Sequence, residues 1–188
     1  MTEQTSTPAK VKKGAKKTFF EVRVPLTSSK IHLYGTSAEE LAGRVVKLDL
    51  TRSLKGKSFE LRLKVKADGG NLEGEPVSIE LMGSYIRRMM RTGIDYVEDS
   101  FIAECKDTKV RIKPFLITRN KVSRSVRKAL RNLARGFLEG HLKARNAIEV
   151  FSDITTNKVQ KELFLRLKKI YPLALCEIRI FEIVNAKK

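Results

Sequence analysis

The sequence predicts an α+β fold in which an antiparallel β-barrel core of about seven strands has one short helix and two longer flanking amphipathic helices. Strand-like runs with alternating apolar and polar residues fill the chain from residue 19 to residue 118, and turn residues separate them. Two long helical periods follow. Because the strands are many and most have one apolar face, closure into a barrel is favoured.

The N-terminal segment, residues 1–17, is predicted to be a disordered basic tail. It has no apolar period and one acid, Glu3. Its cationic residues are Lys10, Lys12, Lys13, Lys16 and Lys17. Such a segment buries too little apolar surface to offset the entropy lost on ordering. Residues 18–188 are long enough for one globular domain with its own core.

The first strands are predicted at residues 19–24, 31–34 and 45–50, and Pro25 ends the first of them. The clearest strand covers residues 59–66, where apolar side chains alternate strictly with charged ones. That alternation is typical of a strand with one buried face and one solvated face.

A hairpin is predicted at residues 68–71, since Gly and Asn tolerate positive φ, and the returning strand covers residues 77–81. A short helix is predicted at residues 85–91. Two long strands then cover residues 94–105 and 109–118, joined by a tight turn.

The most basic stretch covers residues 105–145. It contains thirteen Lys or Arg and two acids, so thirteen minus two gives a local excess of +11 out of a formal net charge of +18. Its second half has an apolar helical period, listed here: Val122, Val126, Leu130, Leu133, Phe137 and Leu142. A basic helix face is often simply solvated and balanced by acids one turn away, but such acids are almost absent here. We therefore expect this helix to offer its cations to a polyanion.

After the basic helix, residues 148–151 can be extended, and Thr155 or Thr156 is expected to cap a third helix that Pro172 stops. Residues 173–184 alternate again as a last strand.

Nucleic acid is the leading partner class for a chain with a pI near 10.1, ahead of an anionic membrane surface and an acidic protein. Few aromatic residues are available to stack on bases, so binding through the backbone and shape of folded RNA is favoured. The predicted RNA-binding residues on the tail and basic helix are Lys12, Lys13, Lys16, Lys17, Arg119, Lys121, Arg124, Arg127, Lys128, Arg131 and Arg135. A second group, on a loop and the short helix, comprises Arg44, Arg52, Lys55, Lys57, Arg87, Arg88 and Arg91.

No catalytic or cofactor site can be assembled from the sequence. The two histidines, His32 and His141, and the two cysteines have no zinc-ligand spacing. Residues 56–58 resemble the end of a phosphate-binding loop but precede a strand and lack its leading Gly. We therefore expect no enzyme, no metal and no cofactor. Cys105 and Cys176 are interpreted as buried thiols of a reducing compartment; a disulfide between them is not indicated but stays open. The N-terminus has no apolar signal region, and no window is apolar enough to span a membrane, so a cytoplasmic protein without a membrane partner is expected.

An ordered set of residues resembles a known family. The set begins with Lys17, Phe19, Phe20, Glu21, Val22, Arg23 and Pro25 and continues with Leu41, Gly43, Arg44, Val45 and Leu50. Gly83 then precedes the Arg-rich helix, and residues 170–173 lead into the last strand. In order and spacing the set resembles the archaeal and eukaryotic small-subunit ribosomal proteins numbered one in the eukaryotic-type series, formerly called "S three A e". The likeness covers residues 17–184.

The resemblance implies a non-catalytic ribosomal protein with a β-barrel core. It implies a place on the platform of the small subunit near the messenger RNA exit, in contact with the small-subunit RNA, including the region of its 3′ end, and with neighbouring platform proteins. An archaeal member is expected, because the long C-terminal extension of eukaryotic members is missing.

Two other classes of function remain open from the sequence. One is an RNA-modifying enzyme or its subunit, which turnover on RNA with a common cofactor would reveal. The other is a protein-interaction adaptor whose basic face binds an acidic partner, which nuclease-resistant binding to acidic protein would reveal.

Overall fold

The computed structural model describes residues 16–27, 29–54, 56–68 and 71–184. Within these ranges the chain forms nine strands and five helices. In chain order they are β1 (Thr18–Arg23), β2 (Lys30–Gly35), α1 (Ala38–Leu41), β3 (Val45–Asp49), β4 (Phe59–Asp68), β5 (Asn71–Leu81), α2 (Gly83–Met89), β6 (Tyr96–Glu98), β7 (Phe101–Glu104), β8 (Lys109–Thr118), α3 (Arg124–Lys143), α4 (Ala147–Thr155), α5 (Lys158–Leu167) and β9 (Leu173–Ile183).

One mixed sheet contains all nine of these described strands, and β5 joins its parts. Near its start, Leu72 and Glu73 pair in parallel with β1, which pairs antiparallel with β2. Further along the same edge, residues 78–80 pair antiparallel with β9. The other edge of β5 pairs with β4, and β3 follows β4. On the far side, β9 pairs with β8, whose outer edge holds both β6 and β7.

The predicted barrel is wrong: the sheet is open. Among the described strands, β2, β3, β6 and β7 each pair with a single neighbour, so the ends of the sheet do not meet. Closure is unnecessary because helices cover the apolar face of the sheet. Leu130, Phe151 and Leu163, one from each of α3, α4 and α5, share a single buried cluster with Ile112 and Phe181 of the sheet. The rings of Phe151 and Phe181 meet edge to face with centroids 4.8 Å apart.

A smaller buried cluster lies between α1 and the β1 end of the sheet. It consists of Val22, Leu41, Val65 and Leu72. The backbone turn that brings α1 there uses Gly43, whose φ is +82° and whose N–H donates to the Val65 carbonyl at 2.8 Å.

Several predicted elements differ from the structure. The described residues form five helices and not the predicted three, and the helix before Pro172 is preceded by Asn157 and not by Thr155 or Thr156, which end α4. Residues 94–105 form two short strands that pair with β8 in the same register, and the ladder is interrupted at Asp99 and Ser100, where the Asp99 carboxylate accepts the Ser100 N–H at 2.9 Å. Residues 148–151 lie within α4 and are not extended. Asn146 and Glu149 form a capping box at the start of this helix, a local signal that the apolar alternation obscured.

Candidate nucleic-acid interface

Helix α3 is anchored to the core by a single apolar stripe. The buried side chains are Leu130, Ala134, Leu138 and Leu142, spaced four residues apart. Val126, Leu133 and Phe137, which the sequence placed on this stripe, flank it and are half-buried. Val122 precedes the helix, because the hydroxyl of Ser123 caps the N-terminus by accepting the Val126 N–H at 3.5 Å. The face of α3 opposite the stripe is left to solvent.

The loop before α3 is held against β6 by hydrogen bonds. The hydroxyl of the buried Thr118 accepts the Asp95 N–H at 3.1 Å, and the Asp95 carboxylate accepts the Val122 N–H at 2.9 Å. These bonds fix the backbone on both sides of Arg119 and Lys121, whose side chains are exposed. Two loop cations are thereby placed beside the N-terminus of the helix.

We call the cations of this loop and of residues 124–135 of the helix the α3 cationic surface. It comprises Arg119, Lys121, Arg124, Arg127, Lys128, Arg131 and Arg135. All are exposed except Arg127, which is half-buried. Among the described residues, the first six form no salt bridge to an acidic side chain. Arg135 does, with its Nε 2.8 Å from Oε1 of Glu139, and this contact raises the pKa of the arginine.

The position of these charges on the helix is electrostatically unfavourable in the isolated chain. The first turn of α3 has no acidic residue, although the partial positive charge of a helix N-terminus favours anions there. Arg124 and Arg127 add further positive charge at that end. A bound polyanion relieves both effects at once, because it meets backbone N–H groups and cationic side chains together.

An open groove of about 400 Å³ runs between α3 and β6. Its residues are Tyr96, Val97, Arg124, Arg127, Lys128, Arg131 and Asn132. Tyr96 is exposed, and its ring lies 6.0 Å from the ring of Phe115. Sequence reasoning missed Tyr96 and Asn132 as site residues, because only the pairing of β6 with β8 brings that strand beside α3. The groove thus combines cations with an aromatic and an amide side chain.

His141 adds little to this positive surface. Burial lowers the pKa of its imidazole, and the neighbouring Arg145 lowers it further. The histidine is therefore less protonated near neutral pH than an exposed one.

The arginines of α2 lie on a different element and have a local structural explanation. Arg87 and Arg88 occupy the last turn of this helix, where cations interact favourably with the helix dipole. The guanidinium of Arg88 also lies 5.4 Å from the ring centroid of Tyr85. Arg91 follows the helix and is exposed.

The predicted loop cations differ in their surroundings. Arg44 forms a salt bridge with Glu40 at 3.1 Å, and Arg52 is exposed in the turn after β3. The ammonium of the half-buried Lys57 lies 2.5 Å from the carboxylate of the buried Glu177. Lys55 lies outside the described residues.

The tail cations fall mostly outside the described part of the chain, which begins at Lys16. Lys16 and Lys17 are exposed just before β1, and the Lys17 Nζ lies 5.8 Å from the ring centroid of Tyr34. Lys12 and Lys13 lie outside the described residues.

In the described ranges, His, Cys, Asp and Glu side chains form no group of three or more that can hold a metal ion. None of the described helices is both long enough and apolar enough to cross a bilayer.

Comparison with known proteins identifies a family over almost the whole chain. The model of the Ribosomal S3Ae family matches residues 6–187. The small ribosomal subunit protein eS1 of Nanoarchaeum equitans is 28% identical over 181 residues, which cover 92% of this chain and 91% of that protein. The protein of the same name from Methanobrevibacter smithii is 24% identical over 178 residues, covering 90% and 92% of the two chains. That from Methanothermobacter thermautotrophicus is 29% identical over 133 residues, covering 68% of each.

Proposed function

The chain belongs to the Ribosomal S3Ae family, and from this premise we propose that it is a constituent of the small ribosomal subunit that binds folded small-subunit ribosomal RNA. The family is one of ribosomal proteins and not of enzymes, and the resemblance found in the sequence is thereby confirmed. The proposal places the chain in the cytoplasm, on the platform near the messenger RNA exit. Its partners there are the region of the RNA 3′ end and neighbouring platform proteins.

The observation that supports RNA binding is the α3 cationic surface. Six of its members form no salt bridge to a carboxylate of the described residues, and they crowd the N-terminal half of one helix and the loop before it. The cations of such a surface repel one another until a polyanion neutralises them. RNA phosphates do so and release their condensed counterions, which makes the affinity depend steeply on salt.

The groove beside Tyr96 supports contact with folded RNA. Its cations reach phosphates, and its tyrosine and Asn132 can contact a ribose or a base edge that the fold of the RNA presents. From the second group of cations we propose Arg52, Arg87 and Arg91 as RNA contacts, because their side chains are exposed. Lys57 is not proposed, because it forms a salt bridge with Glu177. Lys12, Lys13 and Lys55 remain predictions, as does the single domain of residues 18–188.

Sucrose-gradient sedimentation of native cell extract tests the proposal. The chain is followed by immunoblot at low and at moderate salt, with a known small-subunit protein as a marker. We expect stoichiometric co-migration with the small subunit that survives moderate salt. Nuclease treatment should release the chain from that fraction, because the contact is with RNA.

Sedimentation as free protein, or only a salt-labile trace on the subunit, would contradict the proposal. Co-migration that resists complete nuclease digestion would instead place the chain on protein partners. Chemical footprinting of the small-subunit RNA, with and without the chain, then tests the platform location: protection confined to another region rules it out.

A further inference from the structure

Two aromatic side chains stand side by side on the solvent face of the β1 and β2 hairpin. Phe19 is 73% exposed and Tyr34 is 54% exposed. The two residues are register partners in the antiparallel pair. Their ring centroids are 5.1 Å apart, with an angle of 47° between the ring planes. The pair is the most exposed aromatic cluster in the described part of the chain.

The alternation of the strands fixes this exposure. Phe20 and Val22 point to the smaller buried cluster from the other face of β1, and Leu33 does so from β2. Their neighbours Phe19 and Tyr34 must therefore point outward. A shift of the β1–β2 register by one residue is excluded, because it would expose the side chains that now face the buried cluster. The fold thus maintains two solvated rings, and an exposed apolar patch of this kind marks an interaction surface.

Charge on the same hairpin indicates the chemistry of the partner. Between residues 16 and 35 the cations are Lys16, Lys17, Arg23 and Lys30, and the one acid is Glu21. Lys30 neutralises that acid, with its Nζ 2.9 Å from the Glu21 carboxylate. Lys17 lies against the Tyr34 ring, with its Nζ 5.8 Å from the centroid. Lys17 is thus the cation in contact with the rings, and Glu40 of α1 is near enough to Lys17 for the lysine to lower the pKa of that carboxyl.

We propose that the face formed by Phe19 and Tyr34 is a stacking site for the bases of an unpaired RNA segment, with Lys16 and Lys17 contacting its phosphates. Aromatic rings beside cations are the combination that binds single-stranded nucleic acid, because every base offers a flat face and every linkage offers an anion. A paired region cannot bind in this way, since its base faces are already stacked. A protein partner is a weaker match for two exposed rings that follow directly on the exposed Lys16 and Lys17.

The inference rests on the proposed function in taking the chain to be an RNA-binding protein, and it adds a site on elements other than α3. It also adds two stacking rings to a chain whose sequence offered few aromatic residues for stacking on bases. Phe19 and Tyr34 are fifteen positions apart in the chain (34 minus 19), and only the register of β1 with β2 brings them together.

A tryptophan reporter tests the site directly, because the chain contains no Trp. The Phe19→Trp variant of the full chain places a single fluorophore on the face and keeps an aromatic ring there. It is titrated with an unstructured octaribonucleotide of A and C and, separately, with the same sequence as an RNA duplex. We expect saturable quenching by the single strand and much weaker quenching by the duplex. Adding Tyr34→Ala should weaken the single-strand affinity by roughly tenfold.

The matched control is Ile102→Trp, which places the reporter at another exposed position, 53% exposed, on β7. Its fluorescence should not respond to the octaribonucleotide. Equal quenching in the two variants, or equal quenching of Phe19→Trp by single strand and duplex, would overturn the stacking site. So would a response of Phe19→Trp to RNA-free small-subunit proteins and not to the octaribonucleotide, since the face would then be a protein contact.

Fluorescence anisotropy of a labelled octaribonucleotide separates this inference from the proposed function. Binding without quenching of the Phe19→Trp fluorescence overturns the stacking site alone and leaves RNA binding through α3 intact. Absence of binding to this probe and to small-subunit RNA overturns both.

Discussion

The ammonium of Lys57 lies 2.5 Å from Oε1 of Glu177, and this contact joins two residues 120 positions apart in the sequence. Glu177 is 3% exposed, and burial raises the pKa of its carboxyl, while the hydrogen bond from Lys57 opposes that increase. Lys57 also donates to the side chain of Asn157 at 2.7 Å. Asn157 has the left-handed φ of 61° between α4 and α5. The lysine therefore stabilises the contact of β9 with the helix pair.

Lys57→Met is predicted to lower the free energy of unfolding by about 3 kcal/mol near neutral pH, because it leaves a buried carboxylate without its cation. The pKa of Glu177 in the folded state, already raised, should rise further, while the unfolded value stays ordinary. Because the folded-state pKa of Glu177 is raised, the variant keeps its stability below the unfolded pKa of Glu. It loses stability as the pH rises through the folded-state pKa. Thermal unfolding measured from pH 4 to 8, a range around the ordinary Glu value of about 4.3, should show a deficit that grows with pH.

Two variants control this prediction. Lys47→Met breaks a salt bridge between the exposed Lys47 and the half-buried Glu60, at 3.3 Å, and should change stability by less than about 1 kcal/mol. Glu177→Gln added to Lys57→Met should remove the growth of the stability deficit with pH. The assignment of Lys57 as a structural residue fails if Lys57→Met is as stable as Lys47→Met over the whole range.

The apolar stripe of α3 allows a comparison of two leucines on one helix. Leu130 is 0% exposed in the larger core cluster, whereas Leu133 is half-buried at its margin. Leu130→Ala should lower the free energy of unfolding by about 2 to 5 kcal/mol, since it leaves a cavity that the core cannot fill. Leu133→Ala should lower it by less, because solvent can enter the vacated space. Urea unfolding of both variants measures the difference, and equal losses would contradict the stripe described here.

The α3 cationic surface should determine the salt dependence of RNA binding. Lys128→Gln with Arg131→Gln removes two exposed cations without creating a cavity. If both contact phosphates, the plot of log affinity against log salt should flatten by about two units. Filter binding of small-subunit RNA over a range of salt concentrations gives this slope.

Lys168→Gln with Lys169→Gln is the matched control, since it removes the same charge from exposed positions after α5. Its slope should stay close to that of the parent chain. If the two double variants flatten the slope equally, net charge and not the α3 surface determines the binding.

The two cysteines should be unreactive in the folded chain. Cys105 and Cys176 are free and buried, which confirms the prediction of buried thiols. Burial raises the pKa of the Cys105 thiol to about 11 and raises that of Cys176 as well, so almost no thiolate is present at pH 8. An aromatic disulfide reagent at pH 8 should label both slowly without denaturant and both rapidly in guanidinium. Rapid labelling of either thiol in the folded chain would contradict its burial.

Local patterns predicted several elements of the fold correctly. The alternation of residues 59–66 became β4, and the predicted returning strand at residues 77–81 lies within β5, whose pairing with β4 extends to Asp68 opposite Asn71. Residues 69 and 70 of the predicted turn lie outside the described residues. The helical period near Leu130 became α3. Its buried side chains follow a four-residue spacing through Ala134 and Leu138, which differs from the predicted apolar stripe. These patterns succeed because a strand or a helix exposes one face at a fixed period, whatever lies beyond it.

The sequence by itself determined the α+β class, the excess of positive charge on α3 and, through an ordered set of residues, the family. Only the tertiary structure decided that the sheet is open, that Lys57 is bound by Glu177, and that Phe19 meets Tyr34. The physical reason is the range of the interactions. Periodicity and charge are local properties of a segment, whereas sheet closure, a buried ion pair and a cross-strand ring contact each depend on residues that only the pairing of distant strands brings together.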